Sequence, residues 1–220
     1  MQPLEISFAS YIEMFGSVSP VQNMNQPSPR TTRLLDQARF ESAAEAAGLE
    51  RVVFLAGPFI DTAKRPRKSK GNRAALLRYE LFHILDREGW IVTLGEYQKL
   101  IDAAEPALGE HNNAALAEIK HARDKSTDAI VMLPSSPGSF LELGAFASIN
   151  DICTKMLIIV DKQYEAHTNY MNTGPLKSAA IKHATLKFID YSDIEACAKE
   201  VEQFVTSRIW VRMEKEILAP

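Results

Sequence analysis

The chain predicts a doubly wound α/β fold: a five-stranded, mainly parallel sheet of the flavodoxin or Rossmann type, flanked by helices and preceded by an N-terminal extension. Three observations carry that expectation. Apolar runs of strand length recur at VVFLA (52–56), WIVTL (90–94), AIVML (129–133), MLIIV (156–160) and LKFI (186–189). The runs are continuous rather than alternating, as in a sheet covered on both faces. Segments with helical spacing separate them, and strands that alternate with helices pair in parallel through right-handed crossovers.

Residues 1–30 hold Pro20, Pro27 and Pro29 among Gln, Asn and Ser, which favours extended or loop conformations. Phe8, Tyr11, Ile12, Met14 and Phe15 give the same stretch an apolar side. That side suits packing on its own domain, or an arm for oligomerisation or partner binding. Residues 32–48 read as a helix, with Leu34, Leu35, Ala38, Ala43 and Ala47 to one side. Two parts follow: residues 1–50 as arm and helix, and residues 51–220 as the α/β domain.

The first strand, 52–56, exits into Gly57-Pro58-Phe59. Residues 72–88 form a helix with Leu76, Leu77, Leu81, Ile84 and Leu85 inward and Gly89 as its stop. After strand 90–94 comes a helix at 112–124, with Ala115, Leu116, Ile119 and Ala122 inward. Strand 129–133, helix 139–150, strands 156–160 and 186–189, and a long helix at 192–214 complete the alternation.

Composition narrows the function. At 220 residues, 46% hydrophobic and 24% charged, the chain has the profile of a soluble globular protein with one substantial core. A net charge of -3 gives no global reason for nucleic-acid binding. Cys153 and Cys197 show no CxxC spacing and suit a reducing compartment. No leader is evident, and no apolar run approaches the ~20 residues of a membrane helix. The expected setting is cytoplasmic, without membrane contact. The five histidines lack metal-ligand spacing, so no metal or other cofactor is expected. No GxGxxG or GxxxxGK[ST] supports a dinucleotide or P-loop reading.

Ligands of open parallel sheets bind beyond the carboxyl ends of the strands. Three segments meet that condition: Gly57-Pro58-Phe59-Ile60-Asp61, Pro134 to Glu142, and Asp161 to Pro175. Glu142 is the best-placed acid, expected in the first turn of its helix. The loop before it offers N–H groups and a hydroxyl suited to phosphate or sugar oxygens. Gly138 permits close backbone approach, and Gly144 and Ala145 would let the helix lie near the sheet. A purely structural reading competes. Ser139-Phe140-Leu141-Glu142 fits S-x-x-E, the capping box, in which Glu142 serves only the helix.

The order AGPF (56–59), Asn112-Asn113 with Leu116 and Ile119, and Glu142-Leu143-Gly144-Ala145-Phe146-Ala147 resembles the nucleoside 2-deoxyribosyltransferase family. Still more similar are the deoxyribosyltransferase-like effectors encoded beside bacterial retron reverse transcriptases. Their SPGSF-x-ELGAF block and downstream N-x-GP correspond to SPGSFLELGAF and Asn172-Thr173-Gly174-Pro175. The resemblance covers roughly residues 51–190. It implies that Glu142 attacks C1′ of a ribose or deoxyribose to form a glycosyl-enzyme. Gly57, Pro58, Phe59, Asp61, Asn113, Ser136, Gly138 and Ser139 would then surround the substrate. Asn169 to Asn172 resembles a loop whose Asn reaches the nucleophile, often from a neighbouring subunit, which implies a homo-oligomer with a shared site.

Two departures shape the expected reaction. Where the transferases have acids that handle the base, this chain has Ala114 and Ser136. Hydrolysis of an N-glycosidic bond in a nucleotide or NAD is therefore expected over transfer between bases. Asp61 is either a replacement acid or a solvated turn residue. The role implied is toxic effector of an anti-phage retron, with the reverse transcriptase and its multicopy single-stranded DNA as partners. The alternatives are a nucleotide phosphoribohydrolase, whose PGGxGTxxE motif SPGSFLE distantly resembles, and an inert nucleotide-binding module. Two features fit either role: Lys64 to Arg73, a solvated loop or a rim for substrate phosphates or for a structured nucleic acid such as the multicopy DNA, and His167, a bystander or substrate contact. Asp128, opening a strand at the opposite edge, reads as structural, and the C-terminal helix covers the sheet or joins an interface.

Overall fold

The computed structural model describes residues 50–95 and 114–218. The N-terminal arm, the helix expected at 32–48 and Asn112-Asn113 lie outside the described residues. The described segments belong to the unit Leu49–Pro220.

Five strands, β1 (Val52–Ala56), β2 (Ile91–Thr93), β3 (Thr127–Met132), β4 (Met156–Asp161) and β5 (Thr185–Ile189), form one sheet in the order β2-β1-β3-β4-β5. Every pairing is parallel. The helices are α1 (Arg73–Arg87), α2 (Ala114–Arg123), α3 (Pro137–Phe146), α4 (Asn150–Cys153), α5 (Lys177–Ile181) and α6 (Ile194–Leu218). The doubly wound class expected from the sequence is what the chain forms, and the strand runs fall within two residues of their expected limits.

The pleat divides the core. Phe54, Ala56, Ile130, Met132, Ile158 and Val160 join one buried cluster with Leu143 and Phe146 of α3, Ile152 of α4 and Ala179 of α5. The alternate residues Val53, Leu55, Val131, Leu157 and Ile159, equally buried, point to the other face. There α6 packs on β3, β4 and α1. Burying both faces explains the continuous apolar runs, each large side chain contributing roughly 1.5–3 kcal/mol. Gly89 ends α1 with φ 78°, a left-handed conformation that glycine adopts without steric cost.

Asp128 is structural, as its position implied. The β1–β3 register shifts between Val52 and Val53. The displaced carboxylate accepts the Val52 N–H at 2.9 Å and pairs with Arg212 of α6 at 2.6 Å. Burial raises its pKa, and those two partners oppose the rise.

Four expectations need correction. Ala115 and Leu116, expected inward on the helix after β2, are exposed on α2, whose buried positions are Ala117, Glu118 and Ala122. Glu142 lies in the second turn of α3, because the helix begins at Pro137, not at residue 139. Helix 139–150 is interrupted, with Ile149 extended at the N-cap of the short α4. Between β4 and β5 the chain, read as loop, adopts a π turn at Asn172–Leu176 and then α5.

Candidate active site

The strand order places the site. From β1 the chain winds outward to β2, then returns across β1 to β3 and continues to β5. The direction of winding reverses between β1 and β3, and a crevice opens where the connections leave their carboxyl ends on opposite faces. Both exits are candidate segments named from the sequence. Leu133 N donates to Ala56 O at 3.0 Å, so the two exits run side by side.

Gly57 is required by that proximity. A Cβ on it would meet Leu133 Cβ and Arg78 Cδ at 3.2 Å, tighter than such contacts normally allow. Arg78 is the residue that sequence reasoning missed. It is 1% exposed on α1. Its guanidinium donates to Leu55 O through Nε (3.2 Å) and Nη2 (2.6 Å), and to Pro58 O through Nη1 (2.7 Å). A buried cation thus fastens the Gly57-Pro58 turn from below. Its position was the available signal: Arg78 stands three and seven residues before the buried Leu81 and Leu85, on the inward side of α1. Phe59 projects from the turn, 75% exposed. Exposed Asp61 accepts the Ala63 N–H at 3.0 Å, closing a turn characteristic of Asp.

At the β3 exit the capping box is real but sits three residues early. Ser136 is the extended N-cap and Pro137 the first helical residue, a position proline favours. The Ser136 hydroxyl accepts from Ser139 N at 3.2 Å. The Ser139 hydroxyl, 1% exposed with its residue, accepts from Ser135 N and Ser136 N at 2.9 and 2.8 Å. These hydroxyls and amides are therefore engaged inside the loop, giving it a fixed shape. Gly138 is exposed, and a Cβ there would meet open space. Gly144 also has open space, so close packing on the sheet falls to Leu143, Phe146 and Ala147 instead.

With the cap at Ser136, the Ser139–Glu142 box does not form. Glu142 is half-buried on α3, with Oε2 shielded from solvent. Neighbouring elements bring the other named segments near. The π turn Asn172–Leu176 and α2 each pack against α3. Asn113 precedes α2 and lies outside the described residues.

Asn169 and Asn172 are brought together. Asn169 Oδ1 accepts from Asn172 N at 2.9 Å. The Asn172 amide donates to Tyr164 O (2.7 Å) and His167 O (2.6 Å). They tie the β4 exit into a compact turn, whose Tyr170 is 85% exposed. Exposed His167 packs edge-on against Tyr164. The same edge holds an ion-pair network not expected from sequence. Arg73 of α1 meets buried Asp161 at 3.0 Å and Asp190 at 3.3 Å. The basic segment is thus partly neutralised: Arg73 by these carboxylates, and Arg65 by Glu80 at 2.6 Å. At the β2 exit, buried Glu118 of α2 sits against Gly95, where a Cβ would collide with its carboxylate.

Among the described residues no group of His, Cys, Asp and Glu is arranged to hold a metal ion, and no helix is long and apolar enough to cross a membrane. The fixed turns at the β1 and β3 exits invite comparison with known proteins. Residues 72–217 match the model of a family described as STM3845 retron effector protein. The chain belongs to this retron effector family. The effector is also similar to an Escherichia coli protein named Retron Ec86 putative ribosyltransferase/DNA-binding protein, at 27% identity over 126 residues. That match covers 56% of the effector and 38% of the relative. The family match over residues 72–217 includes α3 and Glu142.

Proposed function

We propose that this retron effector is an N-glycosidase of the nucleoside deoxyribosyltransferase type, acting on NAD or a nucleotide as the toxic arm of an anti-phage system. The observation that carries the reading is Glu142, a half-buried carboxylate on the helix that follows β3 at the switch point, with no part in the helix cap. The inert-module alternative needs Glu142 as a cap, and Ser136 already fills that role.

In the first step a Glu142 oxygen forms a bond to C1′ as the C1′–N bond breaks, its electron pair leaving with the base. In the second, water attacks C1′, the ester C–O bond breaks, and the carboxylate is regenerated as the water proton passes to solvent or a nearby base. Leaving-group chemistry favours NAD. Its glycosidic nitrogen is already cationic, so nicotinamide departs neutral without an acid, which fits Ala114 and Ser136 standing where transferases hold carboxylates. A neutral nucleoside would need a proton from a group such as Asp61 or Glu118. The relative's name, ribosyltransferase, supports glycosyl chemistry in general and keeps an acceptor other than water as a second reading.

Exposed Phe59, Leu141 and Tyr170, one in each of the three candidate segments, support a homo-oligomer that shares its site. The partners in this reading are the retron reverse transcriptase and its multicopy DNA.

The test compares metabolites of cells expressing wild type and Glu142→Gln, with retron neighbours and phage challenge, by liquid chromatography and mass spectrometry. Wild type should deplete NAD or nucleotides, and the variant should be slower by on the order of 10³-fold or more. Heavy-oxygen water should label the released sugar if water is the acceptor. Equal profiles at equal soluble protein would remove the enzyme reading.

A further inference from the structure

At the opposite edge of the sheet, the amino ends of β3 and β4 and the face of α6 enclose a cleft of about 470 Å³. Six cations line it: Arg123, Lys125, Lys155, Arg208, Arg212 and Lys215. Its lining carboxylates are Asp128 and Asp151, and both are engaged: Asp128 by Arg212 at 2.6 Å, Asp151 by Arg123 at 2.8 Å. A surplus of four positive charges remains in a chain whose net charge is -3.

We propose that this amino-edge cleft binds the phosphates of a nucleic-acid strand, independently of the chemistry in the crevice. The arrangement is extended. Arg208, Arg212 and Lys215 recur at helical spacing on one face of α6, and Arg208 to Lys215 spans roughly 10 Å along the axis. Lys155 and Lys125 face them from the other elements. A track of that length exceeds one phosphate. The lining contains no aromatic side chain on which a base would stack, so the cleft suits the sugar–phosphate backbone over a free nucleotide, and without sequence preference.

Two side chains carry a burial cost that an anion would offset. Arg208 Nε is buried without a hydrogen-bond partner. Lys155 Nζ donates to Asp124 O at 2.7 Å and Thr127 O at 2.9 Å, which leaves one of its three protons for a ligand. Burial lowers its pKa to about 8 despite the nearby Asp124, Asp128 and Asp151. A bound phosphate would favour its charged form.

The test is fluorescence anisotropy of the full chain with a labelled single-stranded DNA of mixed sequence, titrated over a range of KCl. Exposed Lys125 and Lys215 are replaced together by Gln, a change that leaves the buried ion pairs intact. The double variant should bind about tenfold or more weakly and lose close to two units of salt slope. Glu142→Gln should bind as wild type does. A Lys64→Gln/Lys68→Gln variant in the carboxyl-edge loop separates the two basic regions and should bind like wild type. Unchanged affinity in the Lys125/Lys215 variant would overturn the proposal, as would loss confined to the loop variant. Full competition by ATP at concentrations that leave Mg²⁺-matched tripolyphosphate ineffective would also overturn it, because the cleft would then be reading a base.

Discussion

The residue that most constrains the crevice is one that takes no part in the proposed chemistry. Arg78 satisfies Leu55 O and Pro58 O at once, and it also fills the space beside Gly57. Replacing it with Met keeps the bulk but strips both carbonyls of their donor. Arg78→Met should lower unfolding free energy by roughly 3 kcal/mol, read as a fall in the urea midpoint. Arg78→Lys should also destabilise, since an ammonium cannot span both acceptors as a planar fork does. Equal midpoints for wild type and both variants would show that the turn holds without the guanidinium. At this scale the sequence was partly legible. Glu142 was singled out as a candidate by its place after a strand and a Ser/Pro/Gly turn, and its role rests on the Glu142→Gln test. The Arg78 role was not, because it depends on a carbonyl 20 residues away that only the folded turn presents.

Among the elements, α3 teaches the most. Its helix signal is strong, yet its start was misplaced, because S-P-G-S reads as loop until Pro137 is seen as a first helical residue behind an N-cap serine. The two serines then bond reciprocally. Ser139→Ala removes the acceptor for the Ser135 and Ser136 amides and should cost about 1–2 kcal/mol. The proposed glycosidase activity should fall with it, because the loop loses its shape. Thermal unfolding paired with an activity assay checks this, and unchanged values in both would make the box dispensable. The π turn and α5 escaped the sequence reading for a comparable reason. Gly174 and Pro175 are ordinarily breakers, and the turn persists because the Asn172 amide anchors it to the Tyr164 and His167 carbonyls, eight and five residues earlier. The strands were legible to within two residues because burial on both faces writes itself directly into composition.

Over the whole molecule, the crevice lies at the carboxyl edge of the sheet and the basic cleft at the amino edge. The proposed shared site adds a prediction at this scale. Leu141, 77% exposed next to Glu142, should lie at the contact between copies. Leu141→Glu should shift sedimentation toward monomer and reduce activity severalfold in parallel. A monomeric wild type, or full activity in a monomeric variant, would dispose of the shared site.

The seam between β1 and β3 has a consequence for the order in which the protein becomes whole. At one end of that seam is the crevice, and at the other Asp128 joins the Val52 amide to Arg212. The lock is therefore assembled from residues 84 positions apart, and Arg212 belongs to a helix made well after both strands. On the ribosome, where domains are made vectorially, the chain carries Asp128 for some time before its cation emerges. Pairings so distant in sequence are slow to form. The crevice is thus completed late, and a fragment ending before α6 carries every candidate residue of the active site without the clasp that holds its two strands in register.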